Sequence, residues 1–267
     1  MPRRMSLDLA FAAMMVAGAG WAGTVPALAQ SAADAANELA IMLDSANELS
    51  SDNLVSALRD AADAGEPIAM WQLGLMYESG VGVEQDEAQA FLYFSQIANE
   101  HADAPPRSLD ADIVAQSFMK VGDYYRHGLP DAGIPVDNAR ARALLMHAAS
   151  YFGDADAQFR VGELYLDPNE LGVNPIQSAR WLSLAASKGH PGAQARLGEL
   201  LYRGDGIVPQ PVEGLMWIAL AQRNARGTAD EAWITQLAQS VQTGADPNQL
   251  EAALLAADTY APQFSGY

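Results

Sequence analysis

The sequence contains no cysteine. That excludes disulfides, thiolate metal sites, a cysteine nucleophile and a lipidated N-terminal cysteine. Basic side chains are scarce: 15 Lys and Arg stand against 33 Asp and Glu, a formal charge of −18. Such a chain repels polyanions, which argues against nucleic acid as a partner. The only histidines are His101, His127, His147 and His190, and no two lie three or four residues apart. Paired imidazoles on one helix face, a common start of a metal site, are therefore missing. Also missing are a G-x-S-x-G elbow, an H-E-x-x-H helix and an EF-hand loop. Beyond the N-terminal region no stretch is long and apolar enough to span a bilayer. These absences lead us to expect no catalytic residue, no metal and no cofactor. What is present is apolar material: half of the 267 residues are hydrophobic, enough to bury a core and to exclude a wholly disordered chain.

The first 29 residues follow the order of a secretory signal peptide. Arg3 and Arg4 supply a positive start, residues 9–22 carry no charge, and Ala27-Leu28-Ala29 is a small-x-small cleavage site before Gln30. The apolar run falls short of the ~20 residues that a membrane-spanning helix needs. Cleavage removes Arg3, Arg4 and Asp8 and leaves 13 basic and 32 acidic side chains, a charge of −19. The expected location is the periplasm, without a stable membrane span. The glycines Gly18, Gly20 and Gly23 match the G-x-G-x-x-G dinucleotide fingerprint. That fingerprint works only between a strand and a helix, and here it lies in the segment expected to be discarded.

The remainder is repetitive. Segments 66–86, 117–133, 154–175 and 190–210 align, and each carries Leu or Val, then Gly, then an apolar and aromatic pair. The shared glycines are Gly74, Gly122, Gly162 and Gly198, at intervals of 48, 40 and 36 residues. Periods in this range predict an all-α solenoid of helix-turn-helix repeats. A helix-interior glycine costs about 1 kcal/mol relative to alanine, so its recurrence predicts close helix contact at that point. Gly80, Gly128 and Gly204 should end the first helices, and second helices are expected at 86–98, 137–149, 176–188 and 212–224. Trp181 and Trp217, 36 residues apart, should pack between neighbouring helices. Asp154 and Asp156 precede a helix, where carboxylates meet the positive end of its dipole.

The expected organisation is a signal peptide at 1–29, a capping helix region at 30–53, the repeat solenoid at 54–225, closing helices within 226–260 and a tail at 261–267. The N-terminal capping helix is read at 32–49, the second helix of an incomplete unit at 52–64, and closing helices at 228–241 and 248–257. Residues 102–107, with Pro105-Pro106, lengthen the second repeat. Such an insertion serves either as a functional loop or as a spacer.

One aligned column is polar. Gln72, Lys120, Arg160 and Arg196 lie two residues before the repeat glycine, and Leu75, Asp123, Glu163 and Glu199 lie one after it. Positions three apart are neighbours on a helix face. Ion pairing within each helix, Arg160 with Glu163 and Arg196 with Glu199, is one explanation. A docking stripe for a partner protein, built on Gln72, Lys120, Arg160, Glu163, Arg196 and Glu199, is the other.

The repeat core resembles the Sel1-like repeat, a relative of the tetratricopeptide repeat, over about residues 54–225. The residues that carry the likeness are Gly189-His190, Ala193-Gln194, Leu197-Gly198, Gly204, Gly206 and Trp217. The resemblance implies a right-handed superhelical solenoid and an adaptor rather than an enzyme. A narrower likeness rests on VGDYYRHGLPDAGIPVDNARARALLMHAAS at 121–150, followed by the more generic ARWLSLAASKGHPGAQARLGELL at 179–201. These segments look like the periplasmic negative regulators of exopolysaccharide production of alphaproteobacteria. That likeness implies a non-enzymatic inhibitor that binds the periplasmic domain of a sensor histidine kinase and keeps its two-component pathway quiet. Proteolysis by a periplasmic protease would release the kinase. A general envelope scaffold or host-interaction adaptor is the alternative within the binding class. A polysaccharide-acting enzyme is the alternative outside it, and it would need carboxylates and aromatics gathered in one pocket.

Overall fold

A computed structural model describes residues 51–261. The signal-peptide segment, the capping helix expected at 32–49 and most of the C-terminal tail lie outside the described residues. The described residues are all helical apart from turns, with eleven α-helices and no strand.

The chain divides into two units, Met1–Asp86 and Glu87–Tyr267. The described part of the first unit is a helix pair. Helix α1 (Ser51–Asp63) turns through Gly65, at φ +92°, into α2 (Pro67–Ser79). Pro67 opens α2, where a missing N–H costs nothing. Gly80 closes it in the left-handed conformation at φ 72°, its N–H donating to the Met76 carbonyl. Val55, Leu58 and Ala62 on α1 and Ala69, Met70 and Leu73 on α2 are buried.

The second unit runs through α3 (Glu87–Glu100), α4 (Ala111–His127), α5 (Asn138–His147), α6 (Ala155–Leu164), α7 (Pro175–Ala186), α8 (Pro191–Arg203), α9 (Pro211–Asn224), α10 (Glu231–Gly244) and α11 (Pro247–Tyr260). Successive helices pack on one another from α3 through α10, and α11 returns to pack on α9. The sequence marks most of these starts. Side chains of Asp137, Asp154, Asn174, His190 and Asp246 accept the N–H groups that open α5, α6, α7, α8 and α11.

Two of the repeat glycines, Gly162 and Gly198, sit at the close contacts that the periodicity predicts. A Cβ on Gly162 would lie 2.8 Å from Leu182, and one on Gly198 would lie 2.7 Å from both the Gly214 carbonyl and Ile218. Gly122 has more room, its nearest neighbour being the Ala141 carbonyl at 3.3 Å. Around the α8–α9 crossing Leu182, Leu197, Leu201, Leu215, Ile218 and Ala253 form one apolar core. Trp217 is part of that core, with its ring 6.2 Å from Tyr260, whereas its counterpart Trp181 is only half-buried.

Two features of the second repeat depart from the expected helix at 137–149. α5 continues into a π-helical turn, Ala148–Phe152. Ala149 precedes the next N-cap, Asp154, by five residues, whereas Ala186 precedes His190 by four. The π-turn absorbs that extra residue. It also gathers rings: His147 stacks on Tyr151 at 5.1 Å and packs on Phe118 and Phe152. From there His147 Nε2 donates to the Ala102 carbonyl at 3.1 Å and the Tyr151 hydroxyl to the Asp103 carbonyl at 3.2 Å. The inserted segment at 102–107 is thus tied back to its own repeat.

Candidate functional site

The polar column identified from sequence becomes a ladder in the second unit. Arg160 on α6 donates through Nη1 to both carboxylate oxygens of Asp123 on α4, at 3.0 and 2.9 Å. Arg196 on α8 reaches Glu163 on α6 at 3.4 Å and Glu199 on its own helix at 3.1 Å. Arg203 completes the Glu199 contact at 3.0 Å. The Arg196 guanidinium also lies 5.0 Å from the centre of the Trp233 ring, within cation–π range. Lys120 Nζ is 5.7 Å from the centre of the Phe94 ring. Gln72 is half-buried on α2, in the first unit.

Intrahelical pairing explains only part of this pattern. Arg196–Glu199 pairs as expected, but Arg160 turns away from Glu163 and back to the preceding repeat. Both arginines reach the acid of the preceding repeat, Arg160 to Asp123 and Arg196 to Glu163. Arg196 alone also holds the acid three residues further along its own helix, at the neighbouring position on the helix face. The arginines remain accessible, with side chains 46% exposed at Arg160 and 40% at Arg196. Burial pushes the Glu163 carboxyl above its ordinary range; Arg196 pulls it down and Glu199 pushes it up.

Behind the ladder lies a second periodic device that the sequence reading did not single out. Gln158 and Gln194, 36 residues apart, are buried. Each donates its side-chain amide to a carbonyl at the preceding helix end, Gln158 to Ala149 and Gln194 to Ala186, both at 3.1 Å. Each amide oxygen then accepts from the helix end that follows: Lys188 Nζ at 3.0 Å for Gln158, and Asn224 Nδ2 at 2.9 Å for Gln194. Lys188 also donates to the Gly153 carbonyl. Burial lowers its affinity for a proton, with Asp154 opposing. The Ala-Gln pairs at 157–158 and 193–194 were the available signal.

The helix starts behave as the sequence suggests, with one addition. Asp154 caps α6, accepting the Ala157 N–H at 2.7 Å. His190 caps α8 through Nδ1, which accepts the Ala193 N–H at 3.1 Å. That bond places the proton on Nε2, which faces Asp156 Oδ1 at 2.9 Å. The His190 hydrogen bond holds the Asp156 carboxyl below its ordinary range. His127 at the end of α4 bonds the Asp123 carbonyl at 2.9 Å.

The sequence reading also missed a cluster that joins α4, α5 and the α6–α7 loop. Glu170 in that loop takes Arg126 on one oxygen at 2.8 Å and Arg142 on the other at 3.4 Å. Sequence separations of 44 and 28 residues leave no periodic trace. Along α7, α8 and the loop that follows, an open groove of about 1080 Å³ is lined mainly by apolar side chains, among them Ile176, Leu184, Leu197 and Ile207. Among the described residues no group of three His, Cys, Asp or Glu side chains could hold a metal ion. No helix among them is long and apolar enough to cross a membrane.

Comparison with known proteins bears on the same helices. The Sel1 repeat pattern matches residues 67–100, 119–149, 155–190 and 191–221. Two exopolysaccharide production negative regulators are similar over about half of the chain. That of Rhizobium leguminosarum bv. viciae is 34% identical over 140 residues, 52% of this chain and 52% of its own length. That of Rhizobium meliloti (strain 1021) is 36% identical over 139 residues, 52% of this chain and 51% of its own. The chain thus spans about half the length of these relatives. A solved Sel1 repeat protein from Oxalobacter formigenes superposes with a TM-score of 0.58 at 26% identity, over 79% of this chain and 80% of that one. Four matched copies, glycines at the tight helix crossings and a shared all-helical fold agree: the chain belongs to the Sel1 repeat family, and half of it is homologous to exopolysaccharide production negative regulators.

Proposed function

We propose that this chain is a periplasmic, non-enzymatic regulator. It binds the periplasmic domain of a two-component sensor histidine kinase and represses exopolysaccharide-related signalling. The observation that carries this reading is the homology to exopolysaccharide production negative regulators across half the chain. The repeat fold supports it, because stacked repeats offer an extended surface for a protein partner. The signal-peptide pattern at 1–29 supports the location.

The docking stripe is the ladder: Lys120, Arg160, Glu163, Arg196 and Glu199, with Gln72 as its counterpart on α2. Its arginines are held in place by neighbouring acids and still face solvent, so they meet a partner already ordered. Preorganised side chains lose less entropy on binding than free ones.

The test is a calorimetric titration of residues 30–267 against the periplasmic domain of the host's candidate sensor kinase, at neutral and mildly acid pH. Arg160→Glu/Arg196→Glu serves as the charge-reversal variant. Saturable binding that weakens on reversal supports kinase and stripe together. Binding indifferent to the reversal keeps the kinase and removes the stripe. Absence of binding at both pH values overturns the kinase assignment in favour of a general envelope adaptor.

A further inference from the structure

We propose that Arg126 and Arg142 form a receiving site for a carboxylate of an acidic partner segment, and that Glu170 is its built-in occupant, displaced when the partner docks. The inference rests on the protein-binding reading above and names the chemistry that such a partner presents.

The site is assembled from three places in the chain. Arg126 stands in the last turn of α4, Arg142 in the first half of α5, and Glu170 in the loop between α6 and α7. The two guanidiniums converge on one carboxylate, one per oxygen, at 2.8 and 3.4 Å. The geometry therefore already recognises a carboxylate, the ligand that arginine's planar fork suits best. One carboxylate neutralises one of the two cations and leaves the other in excess. Exposure is divided in the same sense: Glu170 is 17% exposed, Arg126 46% and Arg142 36%. The occupant is covered while the outer edges of its holders face solvent.

The surroundings carry charges of both signs. Arg140 holds its guanidinium 4.3 Å from the centre of the Tyr125 ring. Arg160 is joined to the same helix through Asp123, three residues before Arg126. Asp123 is committed to Arg160, and Asp137 caps α5 by accepting the Arg140 N–H at 2.9 Å. Asp156 also interacts with Arg160, and Asp167 stands in the same loop as Glu170, so the excess of positive charge belongs to the Arg126–Arg142 pair itself, in a chain whose formal charge is −18. A segment with one or two carboxylates in a neutral frame gains this local attraction without the full repulsion that a polyanion would meet.

Glu170 is placed to leave. The loop holds Glu170 by its backbone: Glu170 N–H donates to the Asp167 carbonyl and Leu171 N–H to the Leu164 carbonyl, both at 3.3 Å, with shorter bonds on either side from Asn169 N–H to Asp167 Oδ1 and from Asn174 N–H to the Tyr165 carbonyl, both at 2.8 Å. Releasing its side chain requires no helix to unwind.

The experiment uses the chain from residue 30 and, in place of the kinase, a Gly-Ser peptide with a central Glu pair, with its Gln-pair analogue as control. Binding is followed by NMR titration of the arginine Nε–H signals. Glu170→Gln empties the site and should tighten Glu-peptide binding about tenfold, the scale of one exchanged charge-assisted hydrogen bond. Glu251→Gln makes the same change of charge at an exposed site on α11 and should leave affinity at the parent level. Adding Arg126→Gln or, separately, Arg142→Gln to Glu170→Gln should abolish the gain. The proposal is overturned if Glu170→Gln binds no tighter than the parent, if Glu251→Gln gains as much, or if both arginine variants keep the gain. An oligogalacturonate that binds as tightly as the Glu peptide would overturn the assignment to a protein segment. No kinase enters the assay, so this site and the kinase reading fail separately.

Discussion

Helices α8 and α9 meet through glycine on both sides, Gly198 against Gly214, whereas α4 and α5 meet at Gly122 with a wider gap. The first pair spends its contact surface on backbone proximity and an apolar core. The second stands further apart and carries polar and aromatic chemistry at its margins: the ring cluster around His147, the π-turn and the two arginines on Glu170. One repeat pattern therefore gives two kinds of joint. Tight crossings bring backbones together, and the looser one leaves room for polar and aromatic side chains at its margins.

The largest effect should come from adding one carbon at each crossing. Gly198→Ala would place a Cβ 2.7 Å from a backbone carbonyl and from Ile218, so a helix must move. Overpacking of this kind costs about 3 kcal/mol, of which better helix propensity returns about 1. Gly122→Ala meets its neighbour at 3.3 Å, and the two contributions should nearly cancel. Urea unfolding of both variants checks this; equal losses would erase the contrast between the two pairs.

A smaller loss is expected at the buried glutamines. Gln194→Met keeps the volume but removes two bonds whose other ends keep a partner, the Ala186 carbonyl in the Gly189 N–H and the Asn224 amide in the Gly189 carbonyl, for about 1 kcal/mol. Gln158→Met takes the side-chain donor from the Ala149 carbonyl and the acceptor from Lys188, and should cost at least as much. The difference in their unfolding midpoints measures how unevenly the two joints are sealed.

Acid should act on the ladder in a definite direction. The Glu163 carboxyl is raised above its ordinary 4.5, so the folded chain binds that proton more tightly than the unfolded chain does. Through this group, stability grows as pH falls toward 4.5 and is lost again as pH rises through the folded value. Glu163→Gln should flatten that part of the stability curve. Asp156, held below its ordinary 3.8, contributes stability above that value that is lost as pH falls through its lower folded value. Thermal melts across pH, with and without Glu163→Gln, read the first contribution directly.

The smallest change belongs to Asp123→Asn. Its ion pair with Arg160 is exposed on both sides and is worth about 0.5 kcal/mol at most. A larger, salt-insensitive loss would mean that the looser repeat depends on its surface as much as the tight one depends on its core.

Helix positions were largely legible in the sequence, because capping residues, prolines and the repeat glycine mark starts, ends and crossings locally. The helix read at 212–224 is Pro211–Asn224, and the one read at 86–98 is Glu87–Glu100. The closing helices were legible too, at Glu231–Gly244 and Pro247–Tyr260, but not that the last packs on α9. The polar column was visible as a column, and so was its Arg196–Glu199 pair, whereas Arg160 pairs with Asp123 rather than with Glu163. That choice depends on the distance to the preceding repeat, which the fold sets and local spacing does not. The Glu170 cluster was out of reach for a different reason: its members share no period, and only the folded loop brings them together. The π-turn showed itself only as one surplus residue before Gly153, a count that gains meaning once the ring cluster it creates is seen.

The two glutamine clasps recur with a step of 36 residues, and so do the groups that close them, Lys188 and Asn224. A recombination event that removed 36 residues between Ala157 and Ala193 would bring Gln194 opposite Ala149 and set Asn224 where Lys188 had been. A duplication of the same length would copy both halves of a joint together. The array can therefore gain or lose a unit by a single genetic exchange, with each new seam inheriting a finished set of donors and acceptors.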